Sequence, residues 1–286
     1  MNLPLLSPTR TQDYLNRLGV RPRKSLGQNF LVDANLVRKS IEMAQLEPGM
    51  QIVEIGPGLG TLTRGLLNAG THVYAVERDP IMVRHLKDDL LPQSEGKLDL
   101  LEADAVNSPI GNLPTDTDFR IVANLPYAIT SPWLEAILAG TLAQRMVLLV
   151  QKEAASRLLA QPGYKAIGAI SLFLQAAYQD AGQHPVAKTC FHPVPDVDSV
   201  LMCLQLRKAP FLFSKQQRDW IREIFTMRRK QLRALCKRLG LESWFSKVQE
   251  AGLPEGVRAE NVPLEFWQTI GKEPCGKFAS WKHAPR

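Results

Sequence analysis

At 286 residues the chain is long enough for one large domain or a medium domain with a smaller companion, and two domains are expected. Its net charge of +7 is unevenly placed: residues 1–39 carry net +5, residues 40–206 net −7 and residues 207–286 net +9. Basic ends around an acidic centre suggest a polyanion held by the ends, nucleic acid being the usual one, with a merely soluble basic surface as the alternative. Four cysteines without a Cys-x-x-Cys pair exclude a disulfide framework or zinc knuckle and fit a reducing cytoplasm. The five histidines have no ligand spacing, so no metal is expected. No apolar run reaches the roughly 18 residues of a membrane span, and Met1 to Arg10 does not read as a signal peptide. The Arg-rich stretch 10–24 has the composition of an organelle transit peptide, a reading set aside because its basic residues find a use below.

From about residue 33 to 206, short apolar runs alternate with amphipathic stretches, the rhythm of a parallel sheet covered by helices. The predicted strands are 51–56 (QIVEIG), 72–77 (HVYAVE), 98–103 (LDLLEA), 119–124 (FRIVAN) and 145–151 (RMVLLVQ). Two later runs, SLFLQAAY (171–178) and SVLMCLQLR (199–207), are read as a closing hairpin. Helices are predicted over 61–70, ending in a Gly suited to a C-cap, and over 79–91. After residue 207 the strand signal stops, and Trp220, Ile224, Met227, Leu232, Leu235 and Leu239 take helical spacing. The expected domains are therefore 1–206, α/β and doubly wound with a basic N-terminal segment, and 207–286, a small all-helical basic domain whose tail from about Gly271 is weakly structured.

VEIGPGLG places Glu54, Gly56, Gly58 and Gly60 at two-residue intervals between the first strand and a helix, where glycines permit a tight turn and close ligand approach. Such loops also bind dinucleotides or simply pack a helix on a strand. Dinucleotide loops space their glycines Gly-x-Gly-x-x-Gly, whereas acid-x-Gly-x-Gly-x-Gly resembles motif I of S-adenosylmethionine-dependent methyltransferases, which implies a Rossmann-like class I fold. Glu77 ends the second strand, 21 residues past Gly56, where a carboxylate accepts ribose hydroxyls; alone it would be a solvated strand-end acid. Asp104 ends the third strand, placed to accept a hydrogen bond from an adenine amine.

At the end of the fourth strand, Asn124-Leu125-Pro126-Tyr127 combines a side-chain amide, a carbonyl fixed by proline, and an aromatic face. An exocyclic base amine needs acceptors for its hydrogens, to aim its lone pair at a methyl donor, and its ring needs a stacking surface. Asn124 and the Leu125 carbonyl supply the acceptors, and Tyr127 supplies the surface. Placement and electrostatics replace a strong base here, so the lack of a catalytic His or Cys is consistent.

The segments RKSLGQNFLVD (23–33), VEIGPGLGTLT, NLPY, LVQKEAASRL (149–158), FHPVPDVDSV (191–200), RRKQLR (228–233) and RAENV (258–262) together resemble the rRNA adenine dimethyltransferases, from about Arg21 to Trp267. RAENV and the full helical C-terminal domain are similar to the branch acting on small-subunit rRNA. That resemblance implies transfer of four methyls from S-adenosylmethionine to the N6 atoms of two adjacent adenosines in the 3′-terminal hairpin of 16S rRNA, within an immature 30S subunit. It assigns cofactor contacts to Asn29, Leu31, Gly56, Glu77, Asp104 and Asn124, with Gly58 in the same loop. Phe191 becomes the aromatic that sandwiches the target adenine against Tyr127, its plain alternative being a buried aromatic beside a turn; Gln28 helps to close the site. Many relatives carry Asn or Ser where this chain has Ala128, so a polar role there is not expected.

Arg21, Arg23 and Lys24 are expected to hold backbone phosphate near the site. Arg228, Arg229, Lys230, Arg233, Lys237 and Arg238 are expected on one helix, with 229, 233 and 237 on a common face. The absence of acids between Arg228 and Arg238 argues for a polyanion across them. The expected enzyme is a cytoplasmic monomer. Its alternatives are a methyltransferase of large-subunit rRNA, a ribosome-assembly binding factor with secondary methylation, and, more distantly, a DNA adenine methyltransferase, for which no target-recognition region is visible, or a dinucleotide dehydrogenase, whose glycine spacing does not match.

Overall fold

The computed structural model describes residues 2–22 and 29–271, apart from the side chain of Tyr127. Helix α1 (Pro8–Leu18) starts on the hydroxyl of Ser7 and ends on Gly19 at φ +63°. A two-residue strand, β1 (Phe30–Leu31), leads into α2 (Ala34–Ala44). The parallel rhythm then runs β2 (Gln51–Ile55), α3 (Thr61–Asn68), β3 (His72–Glu77), α4 (Pro80–Asp89), β4 (Leu98–Glu102), β5 (Phe119–Asn124), α5 (Thr130–Ile137), β6 (Arg145–Gln151) and α6 (Lys152–Leu158). After α7 (Ala169–Ala177) come β7 (Tyr178–Val186), the short β8 (Phe191–His192) and β9 (Ser199–Leu206). The chain closes with α8 (Lys215–Thr226), α9 (Leu232–Leu239), α10 (Glu242–Glu250) and α11 (Leu264–Trp267).

The seven-stranded sheet has the order β4-β3-β2-β5-β6-β9-β7. The first five strands are parallel, while β9 and β7 are antiparallel additions at the β6 edge. Strands β2, β5 and β6 are buried on both faces, as near-continuous apolar runs demand. The chain turns outward from β2 through β3 to β4, then crosses back to β5, so the strand order reverses between β2 and β5. A second, two-stranded ladder pairs β1 with β8, Leu31 opposite Phe191 and Phe30 opposite His192. The His192–Pro193 bond is cis.

The closing hairpin is real but displaced. Residues 171–177 lie in α7, and the strand starts at Tyr178. An unbroken apolar run has no period to separate strand from buried helix; here Ala, Leu and Gln, all good helix formers, decide it.

The residues divide into two compact units, 1–155 with 178–207 and 156–177 with 208–286. The division expected after residue 206 therefore omits 156–177, which belong with the helical unit. In that unit α8 opens with a capping box between Ser214 and Gln217, and Gln217 Nε2 donates to the Ile270 carbonyl. Trp267 packs against Trp244 and Phe225, with ring centroids 5.3 and 5.6 Å apart. The indole N–H of Trp267 donates to the Val262 carbonyl, so the RAENV segment closes this core.

In the α/β unit, α1 is held by its apolar face and by a polar cluster. Leu6, Leu15, Phe30, Leu59 and Met82 are packed together. Tyr14 Oη donates to Asp89, which also pairs with the buried Arg64, and the His85 ring stacks 4.7 Å from that of Tyr14. Burial lowers the His85 pKa.

Candidate active site

A cavity of about 440 Å³ opens at the carboxyl ends of β2, β3, β4 and β5. It lies where the strand order reverses, which is where ligands bind in open α/β sheets. Its wall includes Asn29, Gly56, Gly58, Glu77, Asp104, Asn124 and Pro126, seven residues expected from sequence.

The glycine loop is shaped by backbone that other residues rarely adopt. Gly56, Gly58 and Gly60 have φ of +67°, +57° and +81°. A Cβ on Gly58 would stand 3.1 Å from the Phe30 ring, and one on Gly56 would stand 3.4 Å from Pro126. The loop N–H groups are engaged inside the protein: Gly56 donates to Val76 O, Gly58 to Glu77 Oε2 and Gly60 to Pro57 O. None of the three is left to receive a pyrophosphate, which disfavours a dinucleotide.

Glu77 ties this loop to the next. Its Oε1 accepts from the N–H groups of Arg78 and Asp79 at 2.8 and 2.9 Å, while Oε2 accepts from Gly58 at 3.0 Å. One lone pair of Oε2 remains for a hydroxyl. Burial raises the Glu77 pKa, and the three N–H donors oppose the rise. Asp104 accepts from Val106 N through Oδ1, and its Oδ2 pairs with Arg78 Nη1 at 3.2 Å. Below the loop Glu54 is 1% exposed, with Oε2 lacking a hydrogen-bond partner. Burial pushes its pKa up to about 8; Thr63 lies near enough to temper the shift, although its Oγ1 also makes no hydrogen bond, and Glu77 adds to it.

Asn124 ends β5 with its amide oriented by a neighbour. Nδ2 donates to the Asn29 carbonyl at 3.1 Å, which leaves Oδ1 as the acceptor of the pair. Leu125 N donates to Leu149 O, and the Pro126 carbonyl accepts from Ile129 N, so both ends of the Asn-Leu-Pro turn are fixed.

Three expected contacts are absent from the cavity wall. Leu31 and Phe191 are buried, and Leu125, whose backbone carbonyl is the expected acceptor, is 1% exposed between Asn124 and Pro126, which both line the wall. The β1–β8 ladder sets Leu31 opposite Phe191 and packs both into the hydrophobic core. Conversely, Phe30, Arg78, Pro80, Ile81, Met82, Ala105 and Ile129 line the cavity without having been singled out. For all but Phe30, which lies in β1, the signal was position: the segment after each parallel strand faces the ligand edge.

The basic residues divide differently from the single helix expected. Arg228, Arg229 and Lys230 lie in the turn between α8 and α9, so Arg229 does not share a helix face with Arg233 and Lys237. Met227 leaves helical geometry at φ −115°, and Gln231 restarts the chain in extended form. Acids reach the basic run from other elements: Arg233 pairs with Glu255, and Arg238 with Glu223. The repulsion argument for a polyanion therefore fails at those two positions. Arg21, Arg228, Arg229, Lys230, Arg233 and Lys237 are exposed; Arg23, Lys24, Gln28 and the Tyr127 side chain lie outside the described residues. Among the described residues, no group of three or more His, Cys, Asp or Glu is arranged to hold a metal, and no helix is long and apolar enough to cross a membrane.

A reversing parallel sheet, an internally bonded glycine loop, carboxylates ending two successive strands and an amide ending the fourth define a class I, Rossmann-like methyltransferase that uses S-adenosylmethionine. The residues fit that cofactor: the glycines leave room that a Cβ would narrow, and Glu77 keeps an acceptor for a ribose hydroxyl. Residues 19–273 match the Ribosomal RNA adenine dimethylase family, and the chain belongs to it. It is 50% identical to the ribosomal RNA small subunit methyltransferase A of Opitutus terrae, over 93% of this chain and 98% of that one. The protein of the same name from Protochlamydia amoebophila is 35% identical over 92% and 95%. Among solved structures, a dimethyladenosine transferase from Plasmodium falciparum shares the fold with a TM-score of 0.66 at 24% identity, covering 84% of this chain and 95% of that one. The 23S rRNA methyltransferase ErmE aligns with a TM-score of 0.62 at 25% identity, over 84% and 96%.

Proposed function

We propose that this enzyme places two methyl groups on N6 of each of two adjacent adenosines in the 3′-terminal hairpin of 16S rRNA, acting as a cytoplasmic monomer on immature 30S subunits. The target follows the relatives named for the small subunit, which align along nearly the whole chain. The chemistry rests on one observation: the Asn124 amide stands on the cofactor cavity with its orientation set by the Asn29 carbonyl.

When bound, the cofactor supplies a methyl group on a sulfonium. Glu77 holds the ribose through the open lone pair of Oε2. Asp104 takes the adenine amine, exchanging its contact with Arg78 for it. Asn124 Oδ1 and the Leu125 carbonyl accept the two hydrogens of the target amine, turning its lone pair out of the ring plane and toward the methyl carbon. N6 would take the methyl from S-adenosylmethionine held there, which would leave as its demethylated thioether, and the proton lost from N6 would pass to water. Tyr127 supplies the stacking face. Holding both reactants in line removes the need for a strong base. Arg21, Arg23 and Lys24 hold RNA phosphate near the site, with Arg229, Lys230 and Lys237 doing so in the helical unit.

The test is transfer of labelled methyl to 30S subunits lacking the modification, with the product mapped, for wild type and Asn124→Ala. Dimethyladenosine at the two adjacent hairpin positions, reduced roughly 100- to 1000-fold in the variant, is expected. Label confined to large-subunit rRNA would transfer the protein to that substrate. Subunit binding without any transfer would make it an assembly factor.

A further inference from the structure

The helical unit carries an exposed aromatic ring that its own core does not use. Tyr164 is 66% exposed, the highest value among the exposed large hydrophobic side chains described. It stands in the loop QPGYKAIG, residues 161–168, which is not loose. Tyr164 N donates to Gln161 O and Ile167 N to Tyr164 O, both at 3.1 Å, forming two successive tight turns. Ile167 is buried and anchors one end. Gly163 N donates to the Glu260 carbonyl at 2.6 Å, and Arg228 Nη1 donates to the Lys165 carbonyl at 2.6 Å. The ring is thus presented on backbone held from both sides, by the RAENV segment and by the turn between α8 and α9.

Its exposed charged neighbours are cationic, while Glu260, which meets the loop through its carbonyl, keeps Oε2 buried. Lys165 is exposed next to it, Arg228 reaches the loop directly, and Arg229 and Lys230 are exposed in the same turn. Neither the loop nor residues 227–231 contain an acid. Scattered exposed apolar side chains need no explanation, but a rigid ring within a cationic surface has the composition of a platform for single-stranded nucleic acid. The ring takes a base face, which every nucleotide has, while cations hold the flanking phosphates. Arg228 meanwhile donates to a backbone carbonyl, which orients the platform.

We propose that Tyr164 stacks on an unpaired nucleotide of the RNA substrate, with Lys165, Arg229 and Lys230 holding adjacent phosphates and Arg228 as a positioning residue. This rests on the reading that the enzyme acts on rRNA, and adds a contact outside the methyl-transfer cavity.

The experiment uses the full chain and undermodified 30S subunits, measuring Kd across a salt series together with KM and kcat for methyl transfer. Tyr164→Ala is expected to weaken binding roughly 5- to 100-fold, the range of one base–aromatic stack, and to raise KM with kcat nearly unchanged. Tyr164→Phe keeps wild-type binding, because stacking does not need the hydroxyl. Lys165→Ala, Arg229→Ala and Lys230→Ala each lower the salt slope by about one, whereas Tyr164→Ala and Arg228→Ala leave it in place. The Arg228→Ala and Tyr164→Ala effects are less than additive when combined. Unchanged binding by Tyr164→Ala, or equal loss in Tyr164→Phe, would overturn the proposal. So would a photoreactive phenylalanine at 164 that cross-links only to ribosomal protein. Failure of wild type to methylate 30S subunits would instead refute the proposed function, and the Kd series would still judge Tyr164.

Discussion

Replacing Glu54 with Gln isolates the energetic consequence of a buried acid beneath the cofactor loop. The native carboxyl titrates near 8, raised from 4.5 chiefly by burial, with Glu77 adding to the rise. Below pH 4.5 both folded and unfolded chains hold the proton, and the contribution to stability is fully present. Between 4.5 and about 8 the unfolded chain releases the proton while the folded chain retains it. Stability therefore falls by about 1.4 kcal/mol per pH unit through this group, and the contribution is lost as pH rises through about 8. From pH 5.5 to 7.5 the group removes about 3 kcal/mol from the wild type and nothing from the Gln variant. Urea unfolding at half-unit steps of pH measures both proteins, and the quantity of interest is their difference, because Gln brings its own buried amide. The variant should gain on the wild type steadily as pH rises, then run parallel above pH 8.5. A difference independent of pH would show that Glu54 is already ionised in the folded protein and refute the reasoning.

Glu77→Ala removes the acceptor of three backbone N–H groups as well as the proposed ribose contact, and should weaken S-adenosylmethionine binding by roughly 100-fold or more in calorimetry; wild-type affinity would exclude the ribose role. Gly60→Ala forces a side chain into φ +81° with its Cβ 2.9 Å from Leu86, and should cost about 1–3 kcal/mol, read as a lower unfolding midpoint. Reversing Arg229 and Lys230 to Glu should weaken 30S binding and flatten its salt dependence, while reversing Arg233, already paired with Glu255, should do less to the slope. Equal slopes for all three would reject the distinction between paired and unpaired cations.

Much of this was legible because it rests on local rules. Five parallel strands were readable as apolar runs, and strands 72–77, 119–124 and 145–151 have the bounds expected. The ligand edge followed from those runs, since Gly56, Glu77, Asp104 and Asn124 each stand at or just beyond the carboxyl end of one of them. What stayed hidden depends on partners distant in sequence. Leu31 and Phe191 read as ligand contacts, and their mutual pairing within the core joins segments far apart in the sequence. Arg233 and Arg238 read as repelling charges until Glu255 and Glu223 arrive from other elements. The segment 171–177 has no period by which to distinguish helix from strand, which left only the helix propensity of its Ala, Leu and Gln residues as a signal for α7.

The ladder between β1 and β8 sets a timetable for making the enzyme. Leu31 meets Phe191 across a sequence separation of 191 − 31 = 160, and Val32 N also waits for the Cys190 carbonyl. At about 5–20 residues per second of synthesis, the N-terminal strand is made roughly 10–30 s before its mate exists. Strands β2 to β5 are complete in that interval and Phe30 can already pack on Leu59 and Met82, but the backbone next to Asn29, whose carbonyl orients the Asn124 amide, still lacks its ladder partner. The segment that orients the Asn124 amide therefore gains its last backbone pairing only when the final third of the chain is being made. A polypeptide cut short before Phe191 would keep every residue that lines the cofactor cavity yet lack the ladder beside Asn29.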